Sequence, residues 1–236
     1  MSGHSKWAQI HRQKGAADAK RGALFTKLGN AISLAVRLGG PDPTTNFKLR
    51  LAIDQAKTAN LPKENAERAI KRGAGELAGQ KIKAVTYEGF GPEGVAFVIE
   101  CLTDNRNRTS SALKHLLTKY SGNLGGPNSV SWLFESRGVI RIKKIDEELE
   151  LALIDAGAKD IIKEADNVVV YTAPNDLKMT KEFLEQKGIK VEYAEVEQMA
   201  KEKKMIKNEA KNQLEKLFLE LDDNEDVNNY YTNAEI

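Results

Sequence analysis

The apolar residues of this chain change period once, near Lys83, and that change constrains the fold more than any other feature. Before it, Leu24, Leu28, Ile32 and Val36 recur every four residues, and Phe25 and Ala35 widen the stripe into one helical face. Gly39-Gly40-Pro41 ends that helix. Thr44 or Thr45 is placed to cap a second, whose apolar face is Leu49, Ala52, Ile53 and Ala56. Pro62 opens a third helix, where its missing N–H costs nothing; Ala66, Ala69 and Ile70 face inward and Gly73 suits the C-cap. Three short helices with short connections form a bundle, and Gly73 to Gly79 reads as a linker.

After Lys83 the runs are rich in Val, Ile, Phe and Tyr. VTYEGF, GVAFVIECLT, SVSWLFES, GVIRIKK, NVVVYTA and IKVEYAEVE read as strands. Helices are expected over about Thr109 to Tyr120, in DEELELALIDAG up to Gly157, in DLKMTKEFLEQKG up to Gly188, and over 205–221 with Leu214, Leu217, Phe218 and Leu221 inside. VNNYYTNAEI reads as a last strand that needs a sheet to join. The alternation is too long for one small sheet, so two small α/β sandwiches are expected, the last strand returning to the first of them. The fold class is therefore α+β. Residues 1–80 form a basic arm and helical bundle, 81–137 with 206–236 one α/β domain, and 138–205 an α/β domain inserted in it.

Charge is divided as sharply as periodicity. Residues 1–83 hold 16 Lys or Arg against 6 Asp or Glu, a charge of +10, while the remainder holds 20 against 28, a charge of −8. A basic third on an acidic body points to a module that binds a polyanion; a basic face paired to the body of its own molecule is the plainer alternative. The arm MSGHSKWAQIHRQKGAADAKRGALFTKL concentrates the basic charge, with Lys6, Arg12, Lys14, Lys20, Arg21 and Lys27 against Asp18. Such residues meet phosphates, and Trp7 or the imidazoles of His4 and His11 can stack on a base; Trp7 can equally anchor the arm to the bundle.

Other classes find little support. No run reaches the ~18 to 20 apolar residues that span a bilayer, and no apolar segment follows the basic start as in a secretory signal. The one cysteine, Cys101, excludes an internal disulfide framework and fits a reducing, cytoplasmic compartment. Gly89-Phe-Gly91-Pro-Glu-Gly94 spells G-x-G-x-x-G, but a strand follows it where a dinucleotide site needs a helix, so it reads as a hairpin connection. There is no P-loop, HExxH or CxxC motif, and no spacing marks a catalytic triad. No enzyme, metal or cofactor is expected.

Two loops remain. TDNRNRT, Thr103 to Thr109, joins a strand to a helix and places Arg106 and Arg108 near helix N-terminal N–H groups, a combination that suits phosphate; local capping by Asp104, Asn105 or Asn107, with the arginines paired to acids, is equally open. GNLGGPNSVSW, Gly122 to Trp132, can approach an RNA backbone closely or serve as a permissive turn.

SGHSKWAQIHRQKGAADAKRGALFTKL, LRLAIDQAKTANLPKENAERAIKRG, YEGFGPEGVAFVIECLTDNRNRT and GNLGGPNSVSWLF together resemble the YebC/PmpR family. That family includes the mitochondrial translational activator of cytochrome c oxidase subunit I. The likeness runs in order over nearly the whole chain and loosens at KEKKMIKNEAKNQ, where a Lys-rich stretch replaces a shorter, proline-bearing turn. It implies a three-helix bundle followed by two ferredoxin-like α/β sandwich domains, the second inserted in the first. It also implies a non-enzymatic factor without cofactor, of one of two kinds: a DNA-binding transcriptional regulator, or a translation factor that acts on the ribosome and relieves stalling, notably at consecutive prolines.

By that resemblance the nucleic-acid-binding positions are Ser2, Gly3, His4, Ser5, Lys6, Trp7, Lys14, Lys20, Arg21 and Lys27, with Asp104, Asn105, Arg106, Asn107 and Arg108 in the second domain. The expected partner is ribosomal RNA, with DNA as the alternative; neither a membrane nor a small-molecule substrate is expected. A mobile basic arm and Gly-rich loops suit irregular RNA better than a DNA groove, although the third helix carries Lys63, Arg68, Lys71 and Arg72. An adaptor whose basic region binds an acidic protein is a third reading.

Overall fold

The computed structural model describes residues 18–77, 81–164 and 167–235. The chain divides into two compact units, one formed by 1–135 with 200–236 and the other by 136–199.

The first unit begins with three helices, α1 (Asp18–Gly39), α2 (Phe47–Thr58) and α3 (Lys63–Ala74). Leu24, Leu28, Ile32, Ala35 and Val36 of α1 close on Leu49, Ala52 and Ala56 of α2 and on Ala69 of α3, as the fourfold repeat predicts. The caps differ from the expectation. Asn46, not a threonine, caps α2: its Oδ1 accepts from Leu49 N at 3.1 Å, and its Nδ2 donates to Ala35 O and Gly40 O, both at 2.8 Å. Thr44 instead turns back on Asp42, to which its backbone N–H and its hydroxyl both donate. The C-cap of α3 is Gly75, with φ +82°, and Gly73 serves packing. A Cβ on Gly73 would lie 2.5 Å from Ser33 O, so only glycine lets α3 approach α1 this closely.

The same unit holds a four-stranded sheet of order β3-β1-β2-β9, made of β1 (Lys83–Phe90), β2 (Ala96–Thr103), β3 (Asn123–Leu124) and β9 (Val227–Thr232). β1 and β2 pair antiparallel, Tyr87 opposite Ile99, and the GFGPEG segment between them is a hairpin turn with Glu93 and Gly94 at positive φ. β9 returns across some 120 residues to pair antiparallel with β2, Phe97 opposite Thr232. Two helices, α4 (Arg106–Lys119) and α7 (Asn208–Asp223), cover one face. Phe97, Ile99 and Cys101 point into them and meet Leu113, Leu117, Leu214, Leu217 and Phe218. Ala96 and Val98 point the other way, against Val130, Phe134 and Tyr231. β2 is therefore buried on both faces along most of its length, which explains its apolar run, interrupted only at half-buried Glu100. A two-stranded parallel ladder joins β8 (Lys204–Met205), in the Lys-rich stretch, to β10 (Ala234–Glu235).

The second unit is built on β4 (Phe134–Ile142), α5 (Glu147–Asp155), β5 (Asp160–Lys163), β6 (Val168–Thr172), α6 (Leu177–Gln186) and β7 (Val191–Ala200). Its sheet order is β5-β6-β4-β7, the arrangement of a βαββαβ ferredoxin-like sandwich. SVSWLFES and GVIRIKK are not two strands: Ser131–Leu133 is a short 3₁₀ turn, and β4 runs on through Gly138. A Cβ there would lie 2.2 Å from Thr172 Oγ1, so glycine is needed for close pairing with β6. β5 has no counterpart in the sequence reading. Its burial is mostly exposed, so it lacks the apolar run that marks the other strands.

Candidate nucleic-acid interface

Ser2, Gly3, His4, Ser5, Lys6, Trp7 and Lys14 lie outside the described residues, as does the side chain of Lys20 in α1. Arg21 is exposed on α1.

Lys27 requires a correction. It is 2% exposed, so it is no phosphate contact. Its ammonium donates to Asp222 O at 2.6 Å and to Leu221 O at 3.3 Å, capping the last turn of α7. Leu221 O also accepts from Asn224 N at 3.3 Å, but both carbonyls lie in the last turn and carry the helix's partial negative charge, so a buried cation is stabilised there. A lysine that looks like part of a basic stripe is thus the tie between α1 and α7.

The Asp104–Arg108 loop divides. Asn105 is the N-cap of α4, its Oδ1 accepting from Asn107 N at 3.2 Å and Arg108 N at 3.1 Å. Arg108 forms ion pairs with Asp104 and Asp226, each at 2.9 Å, and Asp226 holds its guanidinium proton more tightly than usual. Capping and local pairing therefore occupy Asp104, Asn105 and Arg108. Arg106 and Asn107 stand exposed at the first turn, and the Arg106 carbonyl accepts from Tyr87 OH at 2.9 Å.

The GNLGGPNSVSW loop is ordered from within. Glu88 on β1 is buried, and its carboxylate accepts from the backbone N–H of Asn128 (2.9 Å), Val130 (2.7 Å) and Ser131 (2.8 Å). Burial pushes this carboxyl up, but the three N–H donors outweigh it and hold it below the usual range. The anion that this glycine-rich loop binds is the chain's own. Cys101 is a core residue: burial, then the charge of Asp226, push its thiol up and leave it unreactive.

The residues that the structure does bring together are on α1 and α3. A cleft of about 820 Å³ is lined by Gly22, Thr26, Asn30, Asn65, Arg68 and Arg72, among others. Arg68 and Arg72, four apart, share one face of α3. Arg72 is half-buried; its Nε donates to Ser33 Oγ at 3.0 Å and its Nη2 to Asn30 Oδ1 at 2.9 Å. Ser33 Oγ donates in turn to Ala69 O at 2.7 Å, which fixes the cluster. These partners are neutral oxygens. Burial and then the like charge of Arg68 lower the proton affinity of Arg72, though an arginine stays charged. Asp104 also reaches the cleft, but its carboxylate is engaged by Arg108. The i,i+4 spacing of Arg68 and Arg72 was visible in the sequence; the facing Asn30 and Ser33 were not, because they look like polar interruptions of the α1 stripe.

Among the described residues no group of His, Cys, Asp and Glu is arranged to hold a metal ion, and no helix is long and apolar enough to cross a membrane.

Comparison with known proteins gives a consistent result. Residues 5–76 match the family model described as the TACO1/YebC protein N-terminal domain, and residues 82–234 match the TACO1/YebC second and third domain. A probable transcriptional regulatory protein of Persephonella marina is 48% identical over 241 residues, covering 100% of this chain and 96% of that protein. One of Thermoanaerobacter pseudethanolicus is 46% identical over 240 residues, covering 100% and 98%. The crystal structure of a conserved hypothetical protein from Aquifex aeolicus superposes with a TM-score of 0.83 at 44% identity, over 93% of this chain and 92% of that one. Both halves of the chain, matched in order and over nearly their full length, place it in the TACO1/YebC family, two relatives of which bear the name probable transcriptional regulatory protein.

Proposed function

We propose that this chain is a non-enzymatic regulator of gene expression that binds RNA on the ribosome and acts as a translation factor. The observation that carries the reading is the Arg68–Arg72 pair. It brings two guanidinium groups to a cleft of mixed lining, with Phe25, Leu77 and Ile82 beside the polar groups, where the hydrogen bonds of Arg72 go to neutral oxygens. Phosphate oxygens complete such a pair, since Arg binds them through parallel N–H groups. The +10 charge of residues 1–83 supplies the longer-range attraction, and the −8 of the remainder opposes indiscriminate coating of nucleic acid. In this reading the ribosome supplies the chemistry. The factor holds a productive geometry for slow substrates such as consecutive prolines, and needs no cofactor or small-molecule substrate.

The names of the relatives favour a second reading, a DNA-binding transcriptional regulator. α3 would then be the element to enter a groove, with Lys63, Arg68 and Lys71 exposed along it.

One experiment separates the readings. The full chain and an Arg68→Glu/Lys71→Glu variant are sedimented with purified bacterial ribosomes over about 50 to 200 mM salt, beside matched duplex DNA. The translation reading expects the parent to travel with ribosomes, the variant to lose most of that binding with a shallower salt dependence, and DNA to be held weakly without sequence preference. Loss of ribosome binding at physiological salt with tight hold on one duplex would establish the DNA reading instead. Association that survives nuclease removal of all nucleic acid would identify a protein adaptor.

A further inference from the structure

Trp132 is 65% exposed, yet everything around it is fixed. Val130 and Phe134, two residues to either side, are 0% and 5% exposed and lock the segment into the sheet face. Glu88 binds the N–H groups of Val130 and Ser131, and Leu133 N donates to Val130 O at 2.9 Å. The indole Nε1 donates to Ser129 O at 3.3 Å, which orients the ring. From the Lys-rich stretch, Lys201 N donates to Leu133 O at 2.9 Å and the Lys201 ammonium to Trp132 O at 2.8 Å. A large apolar ring is thus held out in water beside a positive charge, on a frame that would have to break to hide it. Leaving such a ring exposed costs the free energy that its burial would return.

We propose that Trp132 and Lys201 form a second nucleic-acid contact, in which the indole stacks on an unpaired base of single-stranded RNA and the Lys201 ammonium meets the adjacent phosphate. This rests on the RNA reading above and names which part of the RNA is recognised. A stacking platform needs only an exposed π-face and a nearby cation. The core of a protein interface is depleted of charge, whereas the residues next to Trp132 in the chain, Asn128, Ser129 and Ser131, are polar and the Lys201 ammonium reaches its carbonyl. Glu235 pairs with Lys203 at 3.5 Å, so Lys201 is the cation of this stretch that the contact uses. The N–H groups of Asn128, Val130 and Ser131 are taken by the Glu88 carboxylate, so the contact is assigned to the two side chains.

The test uses the full chain with Trp7→Phe, leaving Trp132 as the one indole. Its emission is titrated with an oligouridine of about a dozen nucleotides and with a blunt RNA duplex of equal length. The oligouridine should quench Trp132 and the duplex should not. By fluorescence polarisation of a labelled oligouridine, which needs no indole in the protein, Trp132→Ala should weaken single-strand binding by about 5- to 100-fold. Trp132→Phe, which keeps a π-face, should recover most of the loss, and Lys201→Glu should weaken binding and flatten its salt dependence. If Trp132→Ala binds the oligonucleotide like the parent while Arg68→Glu does not, stacking is refuted and the RNA reading stands. If the parent binds no RNA at all, both fall. If Trp132→Ala abolishes capture of a protein partner without touching RNA binding, the surface is a protein interface and the proposal is wrong.

Discussion

Replacing Lys27 by methionine should unfasten the first unit without touching its surface. The ammonium makes a short bond to Asp222 O and a longer one to Leu221 O, 2% exposed, at the negative end of α7. Hydrogen bonds to a charged group contribute about 1.5 to 3 kcal/mol, and a cation at a partly buried helix C-terminus adds up to about 2 kcal/mol. Methionine is of similar length and spares the cost of burying a charge, so part of that sum is offset. The net loss expected is about 3 kcal/mol. Lys27 ties two helices of this unit, so far-ultraviolet circular dichroism follows the unfolding in urea. With a slope of about 2 kcal/mol per molar, the midpoint should fall by about 1.5 M. RNA affinity of the still-folded variant should equal that of the parent, since Lys27 has no exposed charge to offer. A midpoint shift below about 0.3 M, or a selective loss of RNA binding in the folded protein, would refute the capping role.

Three further outcomes are expected. Glu88 ionises more readily in the folded chain than in the unfolded one, so its contribution is complete above the ordinary glutamate value and drains away as pH falls through the lower, folded one; Glu88→Gln should cost about 1 to 3 kcal/mol at neutral pH and flatten this acid limb in urea titrations from pH 7 to 3. Two glycine-to-alanine changes should have opposite signs in thermal melts: Gly73→Ala, whose Cβ meets Ser33 O and Val36, should destabilise by about 1 to 3 kcal/mol, whereas Gly22→Ala, a helical site with open space around it, should stabilise by about 0.5 to 1 kcal/mol. Asn46→Ala removes a cap and two side-chain bonds to the carbonyls of Ala35 and Gly40, so it should lower stability by about 2 kcal/mol by urea titration, while Thr44→Ala and Thr45→Ala should each cost less.

What the sequence by itself determined is what local repetition can carry. Leu24, Leu28, Ile32 and Val36 declare a helix face, and GVAFVIECLT declares a strand. The unpartnered VNNYYT needed a sheet, and it joins the one expected, beside β2. These readings depend only on spacing along the chain, and burial rewards spacing directly.

What only the tertiary structure decided is which charges are spent. Lys27 and Lys48 are both basic residues of the same bundle, yet one is sealed under α7 and the other stands in water. Arg108 is neutralised by Asp226, 118 residues away, and the glycine-rich loop by Glu88, some 40 residues upstream. Arg72 meets neutral oxygens because α3 is laid against Asn30 and Ser33 of α1. A charge becomes a structural tie or a binding group according to what distant segments bring within about 3 Å of it, and a one-dimensional pattern does not encode that distance.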